Sequence, residues 1–456
     1  MAKLEVDIDL VKKYNIPGPR YTSYPPATLF TPEVTWPTVE EHIVRNRQQE
    51  REMSLYFHLP FCRSLCWFCG CTTVITKDQG KSAEYLKYLR REMALMAPLL
   101  NPQRRVGQLH FGGGTPTFLL PGEMRELGRM IRGQFQMAPD VEASVEVDPR
   151  GVTPDHVQAL NEIGFNRLSM GVQDNDAEVQ RAVHRIQPRE MTEQVIRWAR
   201  EAGFTSLNID LIYGLPRQTV ESFERTLDET LALQPDRFAV FSYAHVPWLK
   251  HSQRILEKLM PPPEVKLGLL KLCIEKLTSA GYAYIGMDHF AKETDELAQA
   301  QAKNSLQRNF QGYSTHGGAD IYSFGMSAIS QTDTIYWQNL KELPQYYGAL
   351  DNQKLPQVKA YVLTADDKVR RQAIMRVMCD RRLEFTDLSR RLGVDFKTYF
   401  ARELASLADL EADGLVRVTD TGLEVTPAGR LLIRVIAMRF DAYLAASQER
   451  RFSKVI

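Results

Sequence analysis

Three cysteines within eight residues are the part of this 456-residue chain whose types and spacing point most directly to chemistry. Cys62, Cys66 and Cys69 follow one another at intervals of four and three residues in the segment PFCRSLCWFCGC. Thiolates are soft ligands, and this spacing lets one short loop hold three corners of a cubane 4Fe-4S cluster. One iron is then left without a protein ligand. The sequence therefore predicts a cluster with an open position for a small molecule.

An open iron can chelate the amino and carboxylate groups of S-adenosylmethionine and pass an electron to its sulfonium, which releases a 5'-deoxyadenosyl radical. The alternative is a structural zinc site, because Cys71 offers a fourth thiol. Structural zinc usually takes two separated cysteine pairs, so we favour the iron-sulfur cluster and expect Cys71 to be no ligand. Cys273 and Cys379 lie alone on apolar stretches, which is typical of small core residues.

The cysteine loop follows the first of seven short apolar runs that alternate with amphipathic, helix-like stretches. The runs are LYFHLPF from Leu55, QLHFGGG from Gln108, ASVEVDP from Ala143, RLSMGVQD from Arg167, LNIDLIYGLP from Leu207, RFAVFSYAHVP from Arg237 and YAYIGMDHF from Tyr282. Repeated strand and helix predict an α/β fold with a parallel sheet, and we favour a partial, about six-stranded TIM-like barrel. A doubly wound open sheet is the alternative.

Polar or glycine residues stand where most of these runs end, and the carboxyl ends of barrel strands share one mouth. They are His58, Gly112 to Gly114, Glu146, Asp148, Gln173, Asp174, Asp210 and His245. We expect this mouth to be the active site. The chain then divides into an N-terminal arm over the mouth (1–50), a catalytic barrel (51–355) and a mostly helical, winged-helix-like domain (356–456). The last domain mixes acids with bases, which favours a packing or lid role over DNA binding.

Charge and hydropathy exclude several classes of partner. The net charge is +1, so the overall field does not attract nucleic acid or an anionic membrane. No long uncharged apolar stretch and no leader sequence are apparent. We expect a cytoplasmic enzyme without nucleic-acid or membrane partners, and a monomer.

Longer segments resemble the oxygen-independent coproporphyrinogen III oxidases of the radical S-adenosylmethionine superfamily. These segments are PGPRYTSYP, LYFHLPFCRSLCWFCGC, HFGGGTPT, VEVDPR, FNRLSMGVQD, NIDLIYGLP, GMDHFA, RNFQGYST and the C-terminal RRFSKVI. The resemblance covers essentially the whole chain. It implies anaerobic conversion of the ring A and ring B propionates of coproporphyrinogen III to vinyls, giving protoporphyrinogen IX in haem biosynthesis. It also implies two bound S-adenosylmethionine molecules, with an electron donor and an electron acceptor that the sequence does not identify.

The resemblance also assigns residues to ligands. Cys62, Cys66 and Cys69 would hold the cluster. The first S-adenosylmethionine would contact Tyr56, Gly113, Glu146 and Ile329, and the second would contact Phe68, Gly114, Thr115, Gln173, Arg185, Asp210 and Ala244. Tyr56, Glu146 and Gln311 are the candidates for catalytic roles, with Gln311 near the substrate. Arg20 in the arm is a candidate partner for substrate propionates, because guanidinium groups match carboxylates.

Three other functions compete with this interpretation. A haem-binding chaperone of the same superfamily would share the barrel and the cysteine loop, but the PGPRYTSYP arm and the Cys69 to Cys71 spacing are features of the oxidases. A radical enzyme acting on another substrate and a purely structural cluster are the remaining alternatives.

Overall fold

The strands of the computed structural model, which describes Leu4 and residues 6–444, follow the predicted order. They are β1 (Met53–Leu59), β2 (Phe61–Cys62), β3 (Val74–Ile75), β4 (Arg105–Gly113), β5 (Gln136–Val147), β6 (Arg167–Gln173), β7 (Ser206–Tyr213), β8 (Arg237–Ser242), β9 (Tyr282–Gly286), β10 (His289–Lys292), β11 (Gln307–Asn309), β12 (Gly312–Ser314), β13 (Asp320–Phe324), β14 (Ile329–Gln331), β15 (Ile335–Asn339), β16 (Gln357–Val362), β17 (Arg382–Glu384), β18 (Val416–Val418) and β19 (Gly422–Val425). The RRFSKVI segment lies outside the described residues.

Helices connect the strands and form most of the C-terminal region. The α-helices are α1 (Ile8–Tyr14), α2 (Trp36–Asn46), α3 (Gly80–Met96), α4 (Pro121–Gln134), α5 (Pro154–Glu162), α6 (Ala177–Ala182), α7 (Arg189–Glu201), α8 (Val220–Ala232), α9 (Pro263–Ser279), α10 (Glu296–Ala302), α11 (Leu343–Asp351), α12 (Ala365–Asp380), α13 (Phe385–Leu392), α14 (Phe396–Tyr399), α15 (Ala401–Ala405), α16 (Ala408–Ala412) and α17 (Ile433–Met438). Short 3-10 helices span Ala27–Leu29, Ala97–Leu99, Pro116–Phe118, His251–Leu259 and Ala428–Arg430. Within the described ranges no helix is both long enough and apolar enough to cross a bilayer.

One large sheet contains the strand order β16-β15-β14-β13-β1-β4-β5-β6-β7-β8-β10-β9. The neighbours from β13 through β8 pair in parallel, so the predicted parallel sheet is confirmed and has one more parallel strand, β13, than the six expected. The YAYIGMDHF run does not form a further parallel strand. It forms the antiparallel hairpin β9–β10, because the short turn between them allows only antiparallel pairing.

Polar and apolar side chains alternate along the parallel strands, as the two faces of a strand require. On β5, Ser144 and Glu146 line a cavity inside the sheet, whereas Ala143 and Val145 are buried in the surrounding core. Residues from β4 and from the distant strand β10 line this same cavity. The sheet therefore curls into a partial barrel with a polar interior, and the doubly wound open sheet is excluded.

The N-terminal arm packs between the barrel and the C-terminal region. The hydroxyl of Tyr21 donates to Asp441 Oδ2 at 2.9 Å, and the Tyr336 hydroxyl donates to the Tyr24 carbonyl at 3.0 Å. Arg434 on α17 donates from Nε to the Pro19 carbonyl at 2.9 Å. In the C-terminal region, β17, β18 and β19 form a three-stranded antiparallel sheet.

Glu92 on α3 ties this helix to the turn that follows β13. Its carboxylate is 2% exposed and accepts hydrogen bonds from the Tyr346 hydroxyl at 2.6 Å, Asn339 Nδ2 at 2.6 Å and the Gly325 amide at 2.7 Å. Burial raises the pKa of Glu92 to about 7, although the three hydrogen bonds act in the opposite direction. The folded protein therefore favours the protonated form more than the unfolded chain does.

We expect the free energy of unfolding to fall by about 3 kcal/mol between pH 4.5 and pH 7 because of this one group. The stabilisation is complete below the ordinary Glu pKa of 4.5 and is lost as the pH rises through 7. Urea unfolding across this range measures the slope, and the Glu92→Gln variant should lack the Glu92 contribution. An equal slope in both proteins would contradict the assignment.

Candidate active site

The cysteine loop runs from β2 to β3 at the carboxyl end of β1, as predicted. Cys66 is buried, Cys62 and Cys69 are partly buried, and Cys71 is exposed. All four line a cavity of about 600 Å³ at the mouth of the barrel. No three His, Cys, Asp or Glu side chains in the described part of the chain converge to hold one metal ion. Three thiolates of a cubane cluster bind three different irons, whereas a structural zinc ion takes four ligands on one metal.

Two guanidinium groups flank the sulfur of Cys66. Arg150 donates from Nη2 to Cys66 Sγ at 3.2 Å, and Arg185 Nη1 lies 3.5 Å from the same sulfur. Positive groups stabilise a thiolate and would offset the negative charge of a bound cluster. Arg185 was predicted as a site residue, and the structure places it inside the site. Arg150 was missed, although its position two residues after Asp148 in VEVDPR was the available signal.

Asp148 joins these two arginines into a buried network. It accepts from Arg150 at Oδ1 and Oδ2, and from Arg185 Nη1 at 3.0 Å. Burial alone would raise the pKa of Asp148, but Arg185 and Arg150 outweigh it and hold the pKa below its usual value. The carboxylate therefore stays charged and fixes both guanidinium groups beside Cys66. The neighbouring His184 turns outward instead and stacks on Trp67.

The remaining cysteines differ in their surroundings. Burial raises the pKa of the Cys62 thiol to about 11, and its sulfur lies 3.3 Å from Thr115 Oγ1. A hydrogen bond between Cys69 and Cys71 lowers the pKa of Cys69. Cys71 therefore supports the thiolate form of its neighbour. Cys273 and Cys379 are buried in the core, which confirms the interpretation of both as packing residues.

Most of the predicted site residues meet at this cavity. Together with the three cysteines, the cavity is lined by Phe68, Gly113, Gly114, Thr115, Glu146, Gln173, Arg185 and Asp210. Four others lie elsewhere. Ala244 lines a second cavity of about 410 Å³. Gln311 lines a third one of about 190 Å³ inside the barrel and donates to Ser54 Oγ at 3.3 Å. Ile329 packs against a cluster that includes Phe30.

Tyr56 supports the site from below instead of lining the cavity. Its ring stacks on His110 with centroids 5.6 Å apart, and its hydroxyl lies 3.1 Å from His58 Nδ1. The other ring nitrogen of His58 lies 2.9 Å from the Thr72 carbonyl, near the end of the cysteine loop. Tyr56 therefore positions a histidine that holds the end of this loop.

The glycines after β4 allow the cysteine loop to pack closely. Gly113 has φ of +116°, and a Cβ there would lie 2.7 Å from the His58 ring. A Cβ on Gly114 would lie 2.4 Å from the Pro60 carbonyl oxygen. Both distances are too short for any side chain, so only glycine permits this approach. The GGGTP segment thus has a defined role beside the cluster loop.

Two carboxylates face the interior of the cavity with different charge states. Burial would raise the pKa of Glu146, but His110 and the Gly113 amide, whose nitrogen donates to Oε2 at 3.1 Å, hold it below the usual value. Burial and the charge of Glu146 raise the pKa of Asp210 to about 7. Asp210 accepts from Asn208 Nδ2 at 2.7 Å and from Ser169 Oγ. One carboxylate is therefore charged near neutral pH, while the other titrates there.

The chain matches two family models and several curated relatives. Residues 56–230 match the Radical SAM superfamily, and residues 363–432 match the HemN C-terminal domain. The oxygen-independent coproporphyrinogen III oxidases of Pseudomonas aeruginosa and Escherichia coli are 46% and 47% identical, the alignments covering 99% and 100% of this chain and 98% and 100% of the relatives.

A solved structure of coproporphyrinogen III oxidase (HemN) from Escherichia coli, described as a radical SAM enzyme, has the same fold. Its TM-score is 0.93 at 46% identity, and the match covers 97% of this chain and 100% of that one. The agreement extends over the arm, the barrel and the C-terminal region. The chain therefore belongs to the oxygen-independent coproporphyrinogen III oxidase family within the radical SAM superfamily.

Proposed function

We propose that this protein converts coproporphyrinogen III to protoporphyrinogen IX without oxygen, turning the propionates of rings A and B into vinyls. The observation that carries the proposal is the loop with Cys62, Cys66 and Cys69 at the mouth of a partial barrel. Around it, buried arginines and carboxylates provide ordered groups for a charged cofactor. An electron donor and an electron acceptor complete the reaction.

Cys62, Cys66 and Cys69 would hold a 4Fe-4S cluster, with Arg150 and Arg185 donating towards Cys66. Bound there, the cluster supplies the electron that cleaves S-adenosylmethionine into methionine and a 5'-deoxyadenosyl radical. At the substrate, a propionate loses a hydrogen atom from its β carbon. It then loses carbon dioxide and one electron to the acceptor, which leaves a vinyl group.

The first S-adenosylmethionine would lie against Gly113 and Glu146. The Glu146 side chain is 47% exposed and lines the cavity at the mouth of the barrel, so part of its charged carboxylate is open to a ligand. A carboxylate of this kind can accept hydrogen bonds from the amino group of the ligand. Tyr56 would support this subsite by positioning His58 and His110. A contact with Ile329 stays a prediction of the resemblance, because this side chain packs against the cluster that includes Phe30.

A second S-adenosylmethionine would occupy the side of the cavity lined by Phe68, Gly114, Thr115, Gln173, Arg185 and Asp210, with Ala244 at its edge. The cavity of about 600 Å³ continues through Glu146 and Asp210 into the deeper cavity that holds Gln311. Ligand cavities of roughly 300 to 1,000 Å³ suit molecules of drug size, and this space lies within that range. Gln311 would contact substrate at the inner end.

Asp210 gives this subsite a testable dependence on pH. Its pKa of about 7 means that raising the pH from 6 to 8 converts it to a carboxylate that accepts from ribose hydroxyl groups. We expect the affinity for S-adenosylmethionine to increase severalfold over this range, and the increase to be smaller in Asp210→Asn. Equilibrium dialysis with labelled ligand measures both. The same increase in the variant would contradict this role.

The three parts of the chain would act together as arm (1–50), catalytic barrel (51–355) and C-terminal domain (356–456). The arm's contacts to Asp441 and Arg434 support a closed arrangement at one side of the mouth. Arg20 forms an ion pair with Asp288 there. This arrangement would shield the radical chemistry from water.

An anaerobic assay of the reconstituted, reduced protein tests the proposal. With S-adenosylmethionine and coproporphyrinogen III, we expect 5'-deoxyadenosine, methionine and protoporphyrinogen IX to form together. Cleavage of S-adenosylmethionine without decarboxylation would indicate a different substrate. Tight haem binding with neither product would favour the haem chaperone.

A further inference from the structure

The segment that follows β8 packs against the outside of the cysteine loop. Its 3-10 helix, His251–Leu259, repeats every three residues and so presents three faces. Gln253 and Leu256 form the buried face. Gln253 Nε2 donates to the Phe68 carbonyl at 2.9 Å, and Leu256 belongs to the apolar cluster against which Phe68 packs. The helix therefore lies directly between the cysteine loop and the surface of the protein on this side.

The other faces of this segment carry exposed apolar side chains. Leu249 is 69% exposed and Ile255 is 55% exposed, although both belong to a stretch that contacts the cysteine loop. A second contact comes from Lys250, whose Nζ donates to the Cys71 carbonyl at 2.6 Å. Exposed apolar side chains beside polar ones are typical of the centre of a contact surface between proteins.

Positive charge surrounds these apolar side chains. Besides Lys250, the segment carries Arg254 and Lys258, which are exposed and form no ion pair within the part of the chain that the structure describes. Its single carboxylate, Glu257, lies 3.7 Å from His245. The whole chain, in contrast, has 57 basic and 56 acidic residues. The outer face of residues 249–258 is therefore a local basic surface on a nearly neutral protein, and it attracts acidic partners.

Building on the proposed function, we propose that the outer face of residues 249–258 binds an acidic protein that delivers single electrons to the cluster held by Cys62, Cys66 and Cys69. The carrier in the bound protein is oxidised by one electron and the cluster is reduced by one. No bond forms or breaks in this step, and no proton has to move. The same electron then cleaves S-adenosylmethionine.

The position and the charge of the outer face favour this partner over a second copy of the chain. Each cleavage of S-adenosylmethionine needs a new electron, so the donor has to leave and return. A small apolar centre with a charged rim suits such a short-lived contact, because charge complementarity speeds association. A second copy bound through the same face would instead bring its own cations against these cations.

The experiment reverses charges on the outer face while leaving the contacts to the cysteine loop intact. The double variant is Arg254→Glu with Lys258→Glu. Lys354→Glu with Arg402→Glu is the matched control, because both of these residues are exposed elsewhere on the protein. The probe is reduced flavodoxin, a small acidic protein that carries FMN. Dithionite is the second reductant, and as a small inorganic ion it needs no protein contact surface.

At low ionic strength, we expect the double variant to slow cluster reduction by flavodoxin by about ten-fold or more, because steering by opposite charges is lost. At about 1 M salt, where the Debye length is ~3 Å, most of this difference should disappear. The Kd of oxidised flavodoxin for the cluster-free protein should rise in the same variant. Turnover driven by dithionite should stay within about two-fold of the parent, and the control variant should match the parent throughout.

Leu249→Ser tests the apolar part of the outer face. We expect it to weaken flavodoxin binding by about five-fold at every salt concentration, because burial of apolar surface does not depend on ionic screening. Turnover with dithionite should again be unchanged. An equal loss with both reductants would instead mean that the substitution disturbs the cluster loop.

Several results would overturn the proposal. Equal losses with flavodoxin and dithionite in the double variant would do so, as would unchanged flavodoxin rates or a parent protein that flavodoxin neither binds nor reduces. A parent dimer that the charge reversals dissociate would make a second copy the partner. If flavodoxin reduces the cluster of the parent but no protoporphyrinogen IX forms, the proposed function fails while the electron-donor surface is supported.

Discussion

Replacing Cys66 by serine is expected to abolish both the cluster and turnover. Cys66 is the most buried of the loop cysteines, and the guanidinium groups of Arg150 and Arg185 are positioned for its thiolate. A serine hydroxyl is a poor iron ligand and would leave these two cations facing a neutral oxygen. We expect turnover to fall by more than about a thousand-fold, since the uncatalysed reaction offers no comparable route. Iron and sulfide analysis and the anaerobic assay measure the two effects.

Cys71→Ser is the matched control for this prediction. Cys71 lies two residues after Cys69 and is exposed, and its hydroxyl replacement can still donate a hydrogen bond to Cys69. We expect a full cluster and turnover within about five-fold of the parent, the cost of weakening one hydrogen bond. Loss of the cluster in Cys71→Ser would instead make Cys71 a fourth ligand. That result would remove the open iron on which the proposed chemistry depends.

The cysteine loop and the strand alternation could be predicted because both are local patterns. Ligand spacing within eight residues restricts the geometry of the loop, and a period of two along β5 or β7 determines which side chains face inward. The polar residues at the strand ends then had to converge once the strands were parallel. Glu146, Gln173 and Asp210 meet at one cavity for this reason.

Long-range packing decides the features that the sequence did not reveal. The strand β13 is five residues long and returns beside β1 after more than 250 residues, a pairing that no local pattern specifies. Arg150 was missed because its role depends on Cys66, which lies on another strand's loop. The resemblance assigns Ile329 and Ala244 to ligand binding. Only the packing shows that both lie outside the cavity that the cysteines line.

Two carboxylates that point into the barrel from the same strand have different surroundings: the protein pairs one of them and leaves the other open to a ligand. On β5, Glu142 forms an ion pair with Arg167 at 3.3 Å, deep inside the barrel, whereas Glu146 lies at the mouth with His110 and a backbone amide as partners. The first carboxylate is neutralised by the protein itself. The second stays charged and faces the cavity. Glu142 and Glu146 point to the same side of β5, so replacing each of them compares the loss of a paired carboxylate with the loss of an open one.

Glu146→Gln is therefore expected to weaken S-adenosylmethionine binding strongly. The amide retains the shape of the side chain but removes the charge that would attract the ligand's ammonium group. A hydrogen bond to a charged partner contributes about 1.5 to 3 kcal/mol, so Kd for S-adenosylmethionine should rise between about ten-fold and a hundred-fold. The value of kcat/KM should fall at least as much, because the reaction requires this ligand. Equilibrium dialysis and the anaerobic assay give the two numbers.

Glu142→Gln separates this effect from the loss of any buried carboxylate. Because Glu142 is paired with Arg167, its replacement should lower the temperature of unfolding while Kd for S-adenosylmethionine stays within about two-fold. Glu146→Gln should show the reverse, with weakened binding and little change in stability, since the Gly113 amide can still donate to the amide oxygen. Equal changes of Kd in the two variants would mean that the charge of the interior as a whole attracts the ligand. Glu146 would then have no specific role in binding it.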